Sequence, residues 1–289
     1  MKAVDFDYFR PASVDEVCRL LAQGAGEAKI IAGGQTLVPL LAMRLARPAQ
    51  IIDINRIAEL QGITAEADGV SIRACTRQSV ALDDKTVRAR VPLLAKALAF
   101  VGHDQTRNRG TIGGSLANAD PAAEIGLAAL TLDAELIARS AIGERVIPLQ
   151  KFFLGPMTTA LAAEECLIEI RFRDGRDAGR RGTGFQEVSI RKSDFALSAA
   201  AVQLVMAEGV CRRIAVSVGG AGAVPQRMSA VEARLSNTRL EENDLEAAAA
   251  MVRETVAPIA DPHASPLYRK RVAGALVARA VAEAKAEAA

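Results

Sequence analysis

The chain of 289 residues is long enough for one large domain or for two or three small ones. Half of its residues are apolar and 24% are charged, the ordinary balance of a globular protein with a buried core. Thirty-six basic and 34 acidic residues leave a net charge of +2, and aromatic residues make up only 3% of the chain. Because nucleic acids select basic surfaces with stacking aromatic rings, this composition argues against a nucleic-acid partner.

The longest apolar stretch runs from Phe195 to Ala207 and is interrupted by Ser198 and Gln203. It is well short of the ~20 apolar residues that span a bilayer. The N-terminus carries Lys2, Asp5 and Asp7 and lacks the apolar core of a signal peptide. We therefore expect no transmembrane segment and a cytoplasmic protein.

The four cysteines, Cys18, Cys75, Cys166 and Cys211, lie far apart and form no C-x-x-C pair. The sequence therefore predicts neither an iron–sulfur cluster nor a structural zinc site in this chain, and the thiols are expected to be small buried hydrophobes. The chain has only two histidines, which removes most histidine-based hydrolase and metalloenzyme chemistry.

The first 55 residues predict a small α+β unit. Ser13 and Glu16 form a capping box, and apolar residues follow it at helical spacing. The further elements expected in this unit are a strand at 29–32, a helix at 37–45 and a strand at 50–54.

Residues 56–175 predict a second α+β unit. Its expected elements are a strand at 69–76, a helix at 86–101 that Pro92 breaks or kinks, an irregular loop at 109–121, a short apolar helix at 122–130, and strands at 135–139 and 166–172.

Residues 176–289 predict a C-terminal domain. The stretch 173–184 is rich in Gly and Arg and almost free of apolar residues, so it is the best candidate for a linker. The expected elements beyond it are strands at 185–190, 199–206 and 213–218 in an antiparallel meander, then helices at 243–256 and 267–287.

The first of two glycine-pair loops is Ile30-Ile31-Ala32-Gly33-Gly34-Gln35-Thr36-Leu37. A strand followed by two glycines and polar residues can present several backbone N–H groups, and the Thr36 hydroxyl, to a phosphate. Alone, the motif is explained at least as well by a tight strand-to-helix turn without a ligand.

The second loop, Arg107 to Pro121, combines Thr111, Gly113, Gly114 and Ser115 with polar side chains further on. Its N–H groups and hydroxyls suit a pyrophosphate, and the carboxylates of Asp120 and Glu124 suit ribose hydroxyls. Loops beyond ~12 residues are uncommon unless they are functional. Neither loop matches G-x-G-x-x-G or G-x-x-x-x-G-K-[ST], so the residues alone predict a dinucleotide held from two sides and no Rossmann or P-loop site.

The segments IIAGGQTLVPLLAMRL and QTRNRGTIGGSLANADPAAE resemble the FAD-binding medium subunit of molybdenum hydroxylases, the group of carbon monoxide dehydrogenase, quinoline oxidoreductase and xanthine dehydrogenase. The resemblance begins at Phe6-Asp7-Tyr8-Phe9-Arg10-Pro11 and continues through Ile52-Asp53-Ile54, RKSDFA at 191–196 and Tyr268-Arg269. It implies an α+β fold: two FAD-binding subdomains of the vanillyl-alcohol oxidase/PCMH type (1–55 and 56–175), and an α+β C-terminal domain with a three-stranded antiparallel sheet (176–289).

The resemblance also implies which residues bind a noncovalent FAD. They are Ile30, Ile31, Ala32, Gly33, Gly34, Gln35, Thr36, Leu37, Val101, Thr111, Gly113, Gly114, Ser115, Asn118, Asp120, Glu124, Leu167 and Phe195. Three positions depart from the family pattern. Glu124 stands where Asp usually meets the adenosine ribose, Phe195 where relatives often carry Tyr beside the flavin, and Ile190 where a basic residue is common.

By the same resemblance the chain is an electron-transfer oxidoreductase subunit with no catalytic residue for hydroxylation and no metal ligand. Its expected partners are a large subunit with a molybdenum cofactor and a small subunit with two [2Fe–2S] clusters, assembled as a dimer of heterotrimers. Two alternatives are a free-standing flavin oxidase, for which two histidines offer little acid–base chemistry, and a nucleotide-binding sensor that has lost redox function.

Overall fold

The computed structural model describes residues 2–174 and 179–289. The N-terminal residues form a three-stranded parallel sheet in the order β1-β3-β2. Its elements in chain order are β1 (Asp7–Phe9), α1 (Val14–Gln23), β2 (Ala28–Ile31), α2 (Leu37–Ala42) and β3 (Gln50–Asp53). Because all three strands are parallel, the residues that follow them meet at one edge of the sheet. The first glycine loop, which follows β2, therefore lies beside the residues that follow β3.

Helix α1 begins as its capping box predicts. The Ser13 hydroxyl accepts a hydrogen bond from the Glu16 N–H, and the Glu16 carboxylate reaches back to the Ala12 N–H at 2.9 Å. The helix buries Val14 and Val17 against the sheet, so the predicted spacing is confirmed.

The second unit is a five-stranded antiparallel sheet in the order β4-β5-β10-β6-β7, covered by short helices. A two-stranded ribbon, β8 with β9, lies beside it. The elements of this unit in chain order are a 3₁₀ turn (Ala58–Leu60), β4 (Ile63–Glu66), β5 (Gly69–Arg73), α3 (Gln78–Asp83), α4 (Lys85–Arg90), α5 (Pro92–Leu98), α6 (Asp104–Arg109), α7 (Ile112–Asn118), α8 (Glu124–Thr131), β6 (Glu135–Ser140), β7 (Gly143–Pro148), a 3₁₀ turn (Leu149–Lys151), β8 (Phe153–Gly155), β9 (Thr158–Thr159) and β10 (Cys166–Arg173).

Two expectations for this unit have clear outcomes. Pro92 breaks the predicted helix: α4 ends at Arg90 and Pro92 opens α5. The irregular loop expected at 109–121 is wrong, because Ile112–Asn118 is a helix. Thr111 caps that helix, and Ile112 and Leu116 bury their side chains in the main core, so tertiary packing outweighs the glycine-rich composition.

The C-terminal domain contains an antiparallel sheet in the order β11-β12-β13-β14, with helices on one face. Its elements are β11 (Arg180–Ser189), β12 (Ala196–Ala207), β13 (Val210–Gly219), β14 (Gln226–Arg227), α9 (Ser229–Leu235), α10 (Glu242–Thr255) and α11 (Pro266–Glu287). The expected three-stranded meander is extended by a short fourth strand.

The linker expected at 173–184 is wrong over much of its length. Residues 175–178, where the expected domain boundary falls, lie outside the described part of the chain, and Arg180–Ser189 is a strand. Its glycines serve packing: a Cβ on Gly182 or Gly184 would lie 2.8 Å from the carbonyl carbon of Ala284 or Ala280. Glycine in β11 and alanine in α11 therefore let the helix lie directly on the sheet.

The C-terminal sheet also packs against the second unit. Phe185 stacks near Phe100 with ring centroids 5.1 Å apart, and the Lys96 Nζ donates to the Thr183 carbonyl at 2.6 Å. The same ammonium pairs with Glu283 and Glu287 of α11 at 2.8 and 2.7 Å. No helix of the described residues has the length and apolarity needed to cross a bilayer.

Candidate functional site

Both glycine loops border one cavity of about 660 Å³, a volume typical of small-molecule sites. The cavity lies between the carboxyl edge of the parallel sheet, the start of α7 and the segment before β12. Every residue that the sequence nominated for cofactor binding lines it, from Ile30 to Phe195. The structure thus brings together residues that are up to 165 positions apart (195 − 30).

The first loop offers unpaired backbone N–H groups. Gly34 has a positive φ of 72°, which turns the chain sharply after β2. Within the described part of the chain, no backbone or side-chain acceptor meets the N–H groups of residues 33–36. Thr36 precedes α2 without using its hydroxyl as a cap. Four amides and one hydroxyl are therefore free to receive an anionic ligand.

The second loop contributes side chains instead. The N–H groups of Gly113, Gly114 and Ser115 already donate to the Ala74 carbonyl (2.8 Å), the Thr111 hydroxyl (3.0 Å) and the Thr111 carbonyl (3.2 Å). The expectation that both loops would offer free N–H groups is wrong for this loop, because its residues form the first turn of α7. The polar residues that it places along the cavity are Thr111, whose hydroxyl caps α7, then Ser115 and Asn118.

The two loops touch at Gly33. A Cβ at this position would lie 2.8 Å from the Gly110 Cα and 3.0 Å from the Arg109 carbonyl carbon, with the Arg109 oxygen closer still. These are backbone atoms that no side-chain rotation can move away. Glycine is therefore required here by the close approach of the two chains.

A polar network that the sequence analysis missed holds the loops together. Asn55, which follows β3, donates through Nδ2 to the Ala32 carbonyl at 2.5 Å. Arg77 donates through Nη2 to the Asn55 Oδ1 at 2.8 Å and through Nη1 to the Arg109 carbonyl. The position of Asn55, just after a strand that neighbours β2, was the available signal.

Two carboxyl groups, those of Asp120 and Glu124, line the cavity just beyond the second glycine loop. Asp120 accepts from the Ala122 N–H at 2.9 Å and so fixes the turn into α8. Burial raises the pKa of Glu124 to about 7, and the nearby charge of Asp120 adds to the shift. Glu124 is therefore a hydrogen-bonding group whose charge changes near neutral pH.

The remaining nominated residues form an apolar part of the cavity. Val101 and Leu167 are buried, whereas Phe195 is 76% exposed. Ser193, with a φ of 70°, and Asp194 line the cavity beside Phe195, whereas Ile190 is exposed outside it. A solvent-exposed aromatic ring that lines a cavity can cover a flat ligand.

Further cavity residues come from elements that carry no motif. They include Gln78 at the start of α3, Met157 between β8 and β9, and Glu165 before β10. Their positions depend on tertiary packing, and nothing in their local sequence singled them out.

Three of the four cysteines pack in one apolar cluster. Cys18, Cys75 and Cys166 are buried together beneath the parallel sheet, and all four thiols are free. Burial raises the pKa of Cys75 to about 12 and raises that of Cys166 further. The expectation of buried hydrophobes is confirmed, and thiols in this state are chemically inert. In the described residues no group of three or more His, Cys, Asp and Glu side chains could hold a metal ion.

The donors and acceptors fit a dinucleotide such as FAD. Free N–H groups and hydroxyls lie on facing loops for phosphates, a carboxyl group lies further along for sugar hydroxyls, and an apolar wall ends at an exposed aromatic ring.

Two family models cover most of the chain. Residues 4–172 match the FAD binding domain in molybdopterin dehydrogenase, and residues 183–284 match the CO dehydrogenase flavoprotein C-terminal domain.

Individual proteins match over the whole chain. The 6-hydroxypseudooxynicotine dehydrogenase complex subunit alpha of Paenarthrobacter nicotinovorans is 39% identical over 98% of this chain and 96% of its own length. Carbon monoxide dehydrogenase from Hydrogenophaga pseudoflava, in a form lacking the Mo-pyranopterin moiety of the molybdenum cofactor, superimposes with a TM-score of 0.97 at 34% identity and covers 100% of both chains. Quinoline 2-oxidoreductase from Pseudomonas putida 86 gives a TM-score of 0.94 at 35% identity, over 100% of this chain and 99% of the other.

Proposed function

The chain belongs to the FAD-binding medium subunits of the molybdenum hydroxylases, a group of oxidoreductases, and we propose that it links the iron–sulfur clusters of a partner subunit to an external electron acceptor. The observation that carries this proposal is one cavity lined by both glycine loops, the first with unpaired N–H groups and the second with Thr111 and Ser115. When bound, FAD supplies the redox chemistry.

The residues of this chain bind and orient that cofactor. The N–H groups of residues 33–36 and the hydroxyls of Thr111 and Ser115 hold the pyrophosphate, and Glu124 accepts from a ribose hydroxyl. Val101 and Phe195 contact the flavin ring, and Leu167 lies at the adenosine half. The charged residues that line the cavity are Lys29, Asp120, Glu124, Glu165 and Asp194, and we assign none of them to proton transfer, so hydroxylation takes place elsewhere.

No residue of the two glycine loops matches a covalent flavin attachment site, so we expect FAD to be held noncovalently. The FAD-binding part adopts the vanillyl-alcohol oxidase/PCMH arrangement, divided at residue 55, with the C-terminal domain beginning after residue 175. These assignments follow from the family pattern together with the separate sheets described above.

Electron transfer requires partners. Relatives are named as a complex subunit, a medium subunit and medium chains. We place this chain beside a large subunit with the molybdenum cofactor, which selects the substrate, and a small subunit with two [2Fe–2S] clusters. The assembly is a dimer of heterotrimers in the cytoplasm.

The test is purification of the chain alone and together with both partners. Alone, it should be yellow, free of iron and molybdenum, and inactive toward N-heteroaromatic, aldehyde or carbon monoxide substrates. Co-expressed, it should elute with both partners and restore substrate-dependent dye reduction. A chain that oxidises a substrate unaided would identify a free-standing oxidase, and a colourless chain that binds nucleotides would identify a sensor.

A further inference from the structure

Two carboxyl groups lie where α8 packs against the C-terminal sheet. Glu124 is the first residue of α8, and Glu187 lies on β11 directly opposite Ala199 of β12. Directly paired residues present their side chains on the same face of an antiparallel sheet. Ala199 shares a buried cluster with Leu127 of α8, so Glu187 lies on the face that meets this helix.

Glu187 is poorly satisfied at this interface. Its Oε2 atom is buried and has no hydrogen-bond partner among the described residues. Burial raises the pKa of Glu187 to about 8, and the charge of Glu124 adds to the shift. A buried carboxyl with no partner costs free energy unless it carries a proton.

Among residues 2–174 and 179–289, no salt bridge reaches Glu124 or Glu187. Helix α8 has no charged residue besides Glu124, and β12 and α7 have none. The charged residues on the other packed elements are Lys96 on α5, Arg269, Lys270, Arg271, Arg279, Glu283, Lys285 and Glu287 on α11, Arg180 and Arg181 at the start of β11, Arg212 and Arg213 on β13, Arg227 on β14, and Lys151 in the second 3₁₀ turn. Arg269 pairs with Asp261 and donates to the Leu197 and Gly220 carbonyls, and Lys285 pairs with Glu241. Lys96 is engaged by the two α11 carboxylates, and Arg227 pairs with Asp133 and Glu232. Asp120, the remaining neighbour, is an acid.

We propose that Glu187 is a positioning residue for the cofactor site: it and Glu124 hold one proton between them at neutral pH, so that Glu124 presents its charge to the cavity while Glu187 stays neutral against the sheet. The inference rests on the proposed function, because it assigns Glu124 to a ribose hydroxyl of FAD. A charged carboxylate is the stronger acceptor for such a hydroxyl. Glu187 makes this charge possible by taking the proton that two interacting, half-buried acids cannot both lose.

The arrangement makes FAD binding sensitive to alkaline pH. FAD bound against Glu124 would exclude water from this end of α8 and would therefore oppose loss of the pair's last proton. Above the pKa of the pair, the affinity for FAD should fall by up to about tenfold for each pH unit, the slope for one linked proton.

Glu187→Gln tests this directly, because glutamine is a permanently neutral isostere of the protonated acid. FAD dissociation constants of the apoprotein are measured by flavin fluorescence from well below pH 7 to well above pH 8. In E187Q the neutral affinity should stay within about threefold of wild type, and the alkaline loss should disappear. Glu208→Gln, at the exposed far end of the same sheet, is the matched control and should keep the wild-type profile.

Superimposable profiles for wild type and E187Q would overturn the proposal, as would an affinity in E187Q that is reduced equally at every pH. If wild-type apoprotein binds no FAD at any pH, the proposed function is refuted. The inference is then tested by the pH dependence of the apoprotein's stability in urea. The folded pair keeps protons that free glutamates lose near pH 4.3, so urea stability should fall as the pH rises to about 8. That fall should be smaller in E187Q, and equal falls would refute the pair.

Discussion

Gly33→Ala is the sharpest test of how the two loops are joined. The added Cβ would lie 2.8 Å from the Gly110 Cα and 3.0 Å from the Arg109 carbonyl carbon. Carbon atoms in contact prefer ~3.5–4.0 Å, so the two backbones must separate by roughly 0.5–1 Å. The network from Ala32 through Asn55 to Arg77 resists that movement.

Such overpacking typically costs ~1–3 kcal/mol. Part of this cost reduces stability, and part misplaces the N–H groups of residues 33–36 relative to the Thr111 hydroxyl. We expect the dissociation constant for FAD to rise about 10- to 100-fold, equivalent to ~1.4–2.8 kcal/mol. The overall fold should persist, because the affected atoms lie at the edge of both sheets.

The assay is flavin titration of the apoprotein, with circular dichroism to confirm folding. Gly155→Ala is the control, because its Cβ would come no closer than 3.8 Å to another residue. The control should bind FAD like wild type. A folded Gly33→Ala variant with unchanged FAD affinity would refute the claim that this contact sets the spacing of the phosphate site.

Three further substitutions follow from the same contacts. Glu124→Ala should raise the dissociation constant for FAD about 5- to 150-fold, since hydrogen bonds to charged groups contribute ~1–3 kcal/mol; an unchanged constant in the titration would remove Glu124 from the site. Asn55→Ala should lower urea stability by ~1–3 kcal/mol and weaken FAD binding, because the Ala32 carbonyl and the Arg77 guanidinium each lose a partner; stability equal to wild type would show that the network is dispensable. Lys96→Met should lower urea stability by ~1–2 kcal/mol at low salt, because Glu283 and Glu287 are left adjacent without their shared cation. High salt should reduce the stability difference between the variant and wild type, whereas a salt-independent difference would point to packing instead.

Much of the architecture could be predicted from local patterns. The capping box at Ser13, the break at Pro92 and the two last helices each depend on residues close together in sequence. The convergence of the two glycine loops was also expected, since two phosphate-type loops in one chain suggest one ligand. All nominated site residues do line one cavity, although the assignment of each to FAD is still a prediction.

What could not be predicted depends on long-range packing. The segment around Gly113 has the composition of a loop, yet Thr111 caps a helix whose apolar side reaches the core. The N–H groups in the first turn of this helix form hydrogen bonds within the protein, so they are not available to a ligand as the motif predicted. In the same way, Gly182 and Gly184 suggested a linker, and their function is visible only when α11 lies against the strand.

Residues outside the quoted motifs were missed by the sequence analysis. Asn55 and Arg77 act through atoms of distant loops, and Glu187 is a single glutamate in a strand. Asn55 and Arg77 matter through hydrogen bonds to distant parts of the chain, and Glu187 matters because its Oε2 atom is buried without a partner. These features are visible only in the folded chain.

The most direct test of the account is the flavin content of the purified chain after exposure to FAD and removal of the excess. The account predicts one FAD per chain, released in full on acid denaturation, with a protein mass equal to that of the unmodified sequence. A folded chain that retains no flavin, or flavin that stays attached to the denatured chain, would contradict the noncovalent site between the two glycine loops.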